Sequence, residues 1–304
     1  MAHVLELLPE GARIAVIRLR SMGDCVLTTP ALALLKAHRP DVRIGVVVEE
    51  RFRGVFEGNP DVDEILAPQV GAIAGWRPYL TLNLHGGTRS MWMTAASRAT
   101  FRAGFGHHVH SFVYNVKIPR AQEILGVERP VHTAEHLASA MFFLGVPPVE
   151  IPRAKLSAGQ STEALPAQYA VLHPFASAPE KGWPMDRFVA VARHLRDRAG
   201  LVPVVLAGPA DDASAWAEFR VYRNAPLSKV KSVMAGAQLF VGNDSGPAHI
   251  AAAFEVPVVV LFGPSNPETW APWRTEAQVL RSARMDEIGV GAAIAAAENL
   301  RVRA

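Results

Sequence analysis

The sequence predicts an α/β protein built from two parallel-sheet domains, and three observations carry that prediction. Short apolar segments rich in β-branched residues alternate with longer amphipathic or Ala-rich segments, the pattern of strands joined by crossover helices. The alternation falls into two blocks, separated by a stretch at residues 146–168 that holds Pro147, Pro148, Pro152 and Pro166 and has little apolar periodicity. The chain has 304 residues, 50% of them hydrophobic, enough to bury two cores of ordinary size. The expected division is a first domain at 1–150, a linker at 151–167 and a second domain at 168–285. The segment 286–304 is Ala-rich and expected to be helical despite Gly289 and Gly291, packing back on the first domain.

In the first block, strands are expected at residues 13–18, 43–48, 64–67 and 79–84, with helices at 26–38 and 133–144. In the second, strands are expected at 169–173, 202–207, 239–241 and 256–262, with helices at 186–199, 229–236 and 247–254. The segment after Gly208-Pro209 is short, and residues 211–226 leave little room for a full helix–loop–strand unit.

Composition narrows the function. There are 31 basic and 28 acidic side chains, a formal charge of +3. This mild excess is not gathered into the dense Lys/Arg blocks of a nucleic-acid binder, yet it suits an anionic substrate or a membrane headgroup surface. The single cysteine, Cys25, excludes an intrachain disulfide and a multi-cysteine metal site. No apolar run approaches the ~18 residues of a spanning helix, and the N-terminus has no signal-peptide pattern. The expectation is a cytoplasmic protein.

The most informative stretch is Val241-Gly242-Asn243-Asp244-Ser245-Gly246-Pro247-Ala248-His249, which follows a strand-like segment and opens an Ala-rich helix. Pro247 suits a first helical turn, and the unpaired N–H groups there favour an anion such as phosphate. Asp244 would repel a diphosphate unless it caps the helix or meets a sugar hydroxyl, a tension that points to a nucleotide-sugar. An ordinary helix cap would read the same way.

Each block also carries a polar turn after its first strand, at the carboxyl edge where ligands bind in open α/β sheets. In the first block Arg18-Leu19-Arg20-Ser21-Met22-Gly23-Asp24 follows Ile14-Ala15-Val16-Ile17. Gly23 permits a tight turn. Asp24 reads either as an N-terminal cap or as a general base, and of Arg18 and Arg20, alternating on a strand, at most one should share the site's face. In the second, Pro174-Phe175-Ala176-Ser177-Ala178-Pro179-Glu180-Lys181-Gly182-Trp183-Pro184 offers Lys181 as a phosphate partner or as a solvated lysine. A third loop, Gly263-Pro264-Ser265-Asn266, follows the last expected strand. No Gly-x-Gly-x-x-Gly follows the first strand, which argues against a dinucleotide-dependent oxidoreductase.

Together these stretches resemble glycosyltransferase family 9, the bacterial heptosyltransferases of lipopolysaccharide core assembly. The resemblance rests on Ile17-Arg18-Leu19-Arg20-Ser21-Met22-Gly23-Asp24 with Thr29-Pro30-Ala31-Leu32, on Leu84-His85-Gly86 with Arg89-Ser90, and on Arg102-Ala103-Gly104-Phe105. It also rests on Gly242-Asn243-Asp244-Ser245-Gly246-Pro247-Ala248-His249 with Leu261-Phe262-Gly263-Pro264. It spans most of the chain.

The resemblance implies a GT-B fold: two facing Rossmann-like domains, the acceptor on the first and the nucleotide-sugar on the second. It implies an inverting, metal-independent transfer of heptose from ADP-heptose, a substrate rather than a cofactor, to a Kdo-lipid A type acceptor, a lipid-linked saccharide. Peripheral contact with the inner face of the inner membrane would accompany it. Asp24 takes the general-base role and Lys181 the compensation of diphosphate charge. Ser177, Asp244, Ser245, Gly246 and His249 contact the donor, and Ser21, Gly23, His85 and Arg89 shape the cleft and acceptor side. The chain departs from the family at Ala176-Ser177-Ala178-Pro179-Glu180, where members often carry Ser or Thr and Arg. The alternatives are a GT-B enzyme with another donor such as a UDP-sugar, a sugar epimerase, and a non-catalytic nucleotide-sugar-binding protein.

Overall fold

The computed structural model describes residues 3–159 and 163–301 and divides into two units, Met1–Ser157 and Ala158–Ala304. The first unit holds strands β1 (Arg13–Ile17), β2 (Arg43–Val47), β3 (Glu64–Leu66), β4 (Leu80–Asn83), β5 (Phe101–Phe105) and β6 (Val116–Ile118), in the order β3-β2-β1-β4-β5-β6. The second holds β7 (Tyr169–His173), β8 (Val202–Ala207), β9 (Arg220–Arg223), β10 (Leu239–Asn243), β11 (Val258–Phe262) and β12 (Ala277–Arg281), in the order β12-β11-β10-β7-β8-β9. Every pairing is parallel. Counted within its own unit, each sheet has the doubly wound Rossmann order, and in each the direction of winding reverses beside the first strand. That reversal opens a crevice at the carboxyl ends of β1 and β4 in one unit and of β7 and β10 in the other.

The inner strands are the ones the apolar pattern marks. β1, β4, β7, β10 and β11 are buried almost throughout, as strands covered on both faces must be. The pattern does not mark β5, β6, β9 and β12. These lie toward the outside of their sheets, are partly exposed, and mix arginine, lysine or glutamine among their apolar residues. In the short segment after Gly208, the helix of a full crossover is reduced to a 3-10 turn, Ser214–Trp216, whose Trp216 is wholly buried in the second core.

The first long helix, Met22–His38, begins four residues earlier than expected and takes Gly23 into its buried first turn; Gly23 is therefore a helical residue and not a turn hinge. Pro30 sits inside this helix, where its missing N–H would orphan the carbonyl of Val26. The Thr29 hydroxyl donates to that carbonyl at 2.8 Å, and the Lys155 amide donates to the same hydroxyl at 2.9 Å. The helix continues unbroken.

The C-terminal segment is helical, as expected. Its helix, Val290–Arg301, buries Ala293, Ala296, Ala297 and Leu300 in the core of the second unit, against the helix Met185–Asp197 and strands β10 to β12. Small alanines let the helix approach closely, and this face is used within the second unit. Leu300 is 0% exposed. Leu300→Ala should therefore cost about 2–5 kcal/mol of the second unit's stability, read as a lowered urea midpoint.

Candidate functional site

Each unit gathers candidate residues at its own crevice. In the first, β1 ends at Ile17 and the chain passes through Arg18 and Arg20 into the helix Met22–His38. Asp24, the third residue of that helix, accepts from the Ser21 amide and hydroxyl through Oδ2, each at 3.0 Å, and pairs through Oδ1 with Arg18 Nη2. It caps its helix and stands in the crevice at once, so the cap and the functional reading do not exclude each other. Arg18 is 7% exposed; its other terminal nitrogen donates to the Leu84 carbonyl at the end of β4. The guanidinium thus ties the two strand ends together and fixes one carboxylate oxygen.

Around this pair lies a cavity of about 540 Å³ lined by Arg18, Arg20, Ser21, Asp24, Arg51, Phe52 and His85. Both Arg18 and Arg20 reach it, contrary to the expectation that at most one would: the strand stops at Ile17, so its alternation does not extend to residue 20. His85 has its amide held by Asn83 Oδ1 at 3.0 Å. Its imidazole is pushed below its ordinary value, first by burial and then by Arg18 and Arg20. Arg89 stands beside the cavity instead of lining it, donating to the Pro68 carbonyl at 2.7 Å and facing Glu49 at 3.6 Å. Gly23 does not line it either.

Behind His85 lies a group of rings. His108 packs against Gly86, and His136 stacks on Phe105 at 4.0 Å between centroids. Burial is the main reason that His108 and His136 are lowered to about 4, with neighbouring histidines and Arg18 adding to it. His108 and His136 are therefore neutral at pH 7. Cys25, one residue after Asp24, is 0% exposed, and burial raises its thiol to about 12, which removes it as a nucleophile.

In the second unit β7 ends at His173 and β10 at Asn243. His173 Nδ1 and Ser245 Oγ lie 3.1 Å apart across the crevice, and burial lowers His173 to about 4. Lys181 Nζ meets Asp244 Oδ2 at 3.1 Å. This pair removes the tension in the sequence, because Lys181 neutralises the carboxylate that would otherwise oppose a phosphate. Ser245 is the N-cap of the helix Gly246–Ala253 and Gly246 its first residue; His249 lies on the inner side of that helix, 4% exposed. Ser177 is exposed in the loop after β7.

Several structural contributors escape sequence reasoning. Arg51 and Phe52 line the cavity from the turn after β2, with the Arg51 guanidinium over the Phe52 ring at 4.6 Å. Asn243 is wholly buried: its Oδ1 accepts from the Trp183 amide at 3.1 Å and its Nδ2 donates to the Pro174 carbonyl at 2.9 Å, clamping both ends of the Lys181 loop to β10. Its signal was an asparagine closing an otherwise apolar strand.

Comparison with known proteins agrees with this geometry. Residues 79–290 match the family model described as glycosyltransferase family 9 (heptosyltransferase). A lipopolysaccharide heptosyltransferase 3 of Escherichia coli K12 is 26% identical over 84% of this chain and 83% of its own length. A family 9 glycosyl transferase from Veillonella parvula has a similar structure, with a TM-score of 0.84 at 22% identity, covering 97% of this chain and 98% of that one. An E. coli heptosyltransferase solved with ADP-2-deoxy-2-fluoro heptose has a TM-score of 0.76 at 19% identity, covering 96% of this chain and all of that one. These neighbours have the GT-B fold.

The buried histidines give this arrangement a pH dependence. His108, His136 and His173 titrate near 4 when folded and near the ordinary 6.5 when unfolded, so between those values the unfolded chain binds more protons. Stability present above about pH 6.5 should fall as pH drops toward 4. Urea midpoints should be lower at pH 5 than at pH 7, and His136→Phe, which keeps the stack on Phe105, should flatten that difference.

Proposed function

The chain belongs to glycosyltransferase family 9 and is a glycosyltransferase, and on that premise we propose that it moves heptose from ADP-heptose to a lipopolysaccharide inner-core acceptor. The transfer inverts the anomeric carbon and needs no metal ion, and the enzyme works at the cytoplasmic face of the membrane that carries the acceptor. One observation carries the reading: Asp24 stands at the carboxyl edge of the first sheet, on the wall of a cavity that also presents Arg18, Arg20 and Arg51. A carboxylate in a basic cavity suits an acceptor that is itself anionic and must give up a hydroxyl proton.

In this mechanism Asp24 takes the proton as the acceptor oxygen attacks the anomeric carbon, while the bond to the diphosphate lengthens. Arg18 and Ser21 orient the carboxylate, and Arg20, Arg51 and His85 hold the acceptor, with Arg89 beside them. The transition state resembles an oxocarbenium ion, by analogy with glycoside hydrolysis, and negative charge grows on the departing diphosphate. Lys181 and the N–H groups at the start of the helix Gly246–Ala253 meet that charge. Ser245 and Gly246 approach the diphosphate, and Ser177 completes the loop side. Asp244 exchanges part of its hold on Lys181 for a donor sugar hydroxyl, with His249 supporting the turn from behind.

Asp24 also caps a helix and neutralises a buried arginine, so its alanine variant would confound catalysis with folding. Asp24→Asn keeps the size and one acceptor oxygen but, like alanine, leaves Arg18 without its counter-charge, so its urea midpoint is read beside its turnover. It should lower kcat by about 10²- to 10⁴-fold with ADP affinity nearly unchanged; unaltered turnover would remove Asp24 from the base role.

Lys181→Ala should weaken ADP binding by about 10-fold or more in calorimetric titration, the loss of one charge-assisted contact to the diphosphate. The parent enzyme, titrated with a chelator present, should prefer ADP to UDP. A preference for UDP would keep the reaction class and replace the donor, and no nucleotide binding would refute the reading.

A further inference from the structure

Among the described residues, the most exposed large apolar side chains sit together on the first unit, outside the site described above. Val109 is 87% exposed, Phe112 72% and Trp92 62%. Trp92 lies one turn from Thr88 on the same face of the helix Thr88–Ala96. Thr88 Oγ1 meets His110 Nε2 at 3.0 Å, and the Phe112 ring stands edge-on to His110 at 6.2 Å. The 3-10 turn Ser111–Val113 packs against the same helix. Trp92, Val109 and Phe112 therefore belong to one surface, held by Thr88 and His110. Thr88 and His110 follow the ends of β4 and β5, so this surface adjoins the edge of the sheet where the arginine-lined cavity opens.

That edge is basic. Arg18, Arg20, Arg51 and Arg89 stand there against three carboxylates, Asp24, Glu49 and Glu50, which leaves the arginines in excess. The sequence agrees: from Arg77 to Gln122 there are six arginines and lysines and no aspartate or glutamate. An exposed tryptophan and phenylalanine beside arginines are the elements of a surface that enters the headgroup region of a bilayer. No helix among the described residues is long and apolar enough to cross a membrane, which fits contact in the interface plane. A second copy is a poorer occupant, because a two-fold contact would set the same basic edge against itself.

We propose that Trp92, Val109 and Phe112, with Arg89 and Arg51 at their border, form a docking surface for an anionic lipid bilayer. The proposal rests on the reading that the acceptor is lipid-linked: docking here would bring the arginine-lined cavity to the headgroups from which that acceptor projects. The apolar residues supply insertion and the arginines supply selection for negative charge.

Sedimentation of the full-length protein with vesicles tests this. Vesicles of phosphatidylcholine containing about one third phosphatidylglycerol should bind the protein, pure phosphatidylcholine should bind it far less, and raised salt should weaken the first. The double variant Trp92→Ser/Phe112→Ser should lose about 10-fold or more in partitioning, with an unchanged circular dichroism spectrum and unchanged ADP affinity. Failure of the parent to bind either vesicle, or full binding by the double variant, would overturn the proposal. So would concentration-dependent dimerisation abolished by the double variant with no vesicle binding, which would assign the surface to a second copy. ADP affinity is read in the same samples, so loss of this proposal alone is distinguishable from loss of the nucleotide-sugar reading beneath it.

Discussion

The reversal of winding direction in each sheet is the constraint on which the candidate crevice of each unit depends. Parallel strands covered on both faces leave their functional side chains nowhere to go except the strand ends, and the crossovers diverge beside β1 and β7. Both units close the neighbouring strand end with a buried asparagine. Asn83, at the end of β4, accepts from the His85 and Gly86 amides and donates to the Ser90 and Thr94 hydroxyls, which uses its full hydrogen-bonding capacity. Asn243, at the end of β10, holds the Trp183 amide and the Pro174 carbonyl. Neither asparagine is exposed. Each converts a strand end into a fixed post for a loop, and the chemistry-bearing residues sit on those loops.

The electrostatics of the two crevices are built differently from similar parts. Asp24 and Asp244 each have a cationic partner, but Arg18 is 7% exposed and anchored to the backbone, while Lys181 reaches its carboxylate from a loop. The first pair is fixed on three sides, by Leu84, Ser21 and the helix itself. Removing either member would leave a partly buried charge without its counterpart, which costs more than the pair contributes. The second pair is held by one contact of 3.1 Å on a flexible stem, so an incoming diphosphate can compete for the ammonium without dismantling the fold. The first pair is rigid and the second exchangeable, the difference that the roles proposed for Asp24 and Lys181 call for.

Much of this was legible in the sequence, for identifiable reasons. Strands β1, β7, β10 and β11 stand out because burial on both faces demands unbroken apolar runs, and the polar turns after them stand out by contrast. Strands β5 and β12 do not, because Arg102 and Gln278 interrupt them at partly exposed outer positions. Asp24 and Lys181 were legible as positions, but their partners were not. Arg18 meets Asp24 only because the chain leaves the strand at Ile17, and Lys181 meets Asp244 across 63 residues of sequence. The packing direction of the C-terminal helix was also hidden: Ala293, Ala296 and Ala297 announce a close-packed face without naming the surface it meets.

The departure at Ala176-Ser177-Ala178-Pro179-Glu180 can be weighed in the same terms. If Lys181 were placed by polar neighbours in its loop, replacing them with alanine and proline would unseat it. The backbone places it instead. Pro179 opens a 3-10 turn, Pro179–Lys181, in which the Lys181 amide donates to the Ala178 carbonyl at 3.1 Å and the Gly182 amide to the Pro179 carbonyl at 3.0 Å. Immediately beyond, Asn243 holds the Trp183 amide, and the Trp183 indole donates to the Ile288 carbonyl at 2.9 Å. Gly263 completes the fit, since a Cβ there would lie 3.0 Å from both the Glu180 carbonyl and the Met285 sulfur. The substitutions in the loop therefore leave the position of the lysine intact. The loop can thus vary in its side chains while the Lys181 ammonium stays opposite Asp244.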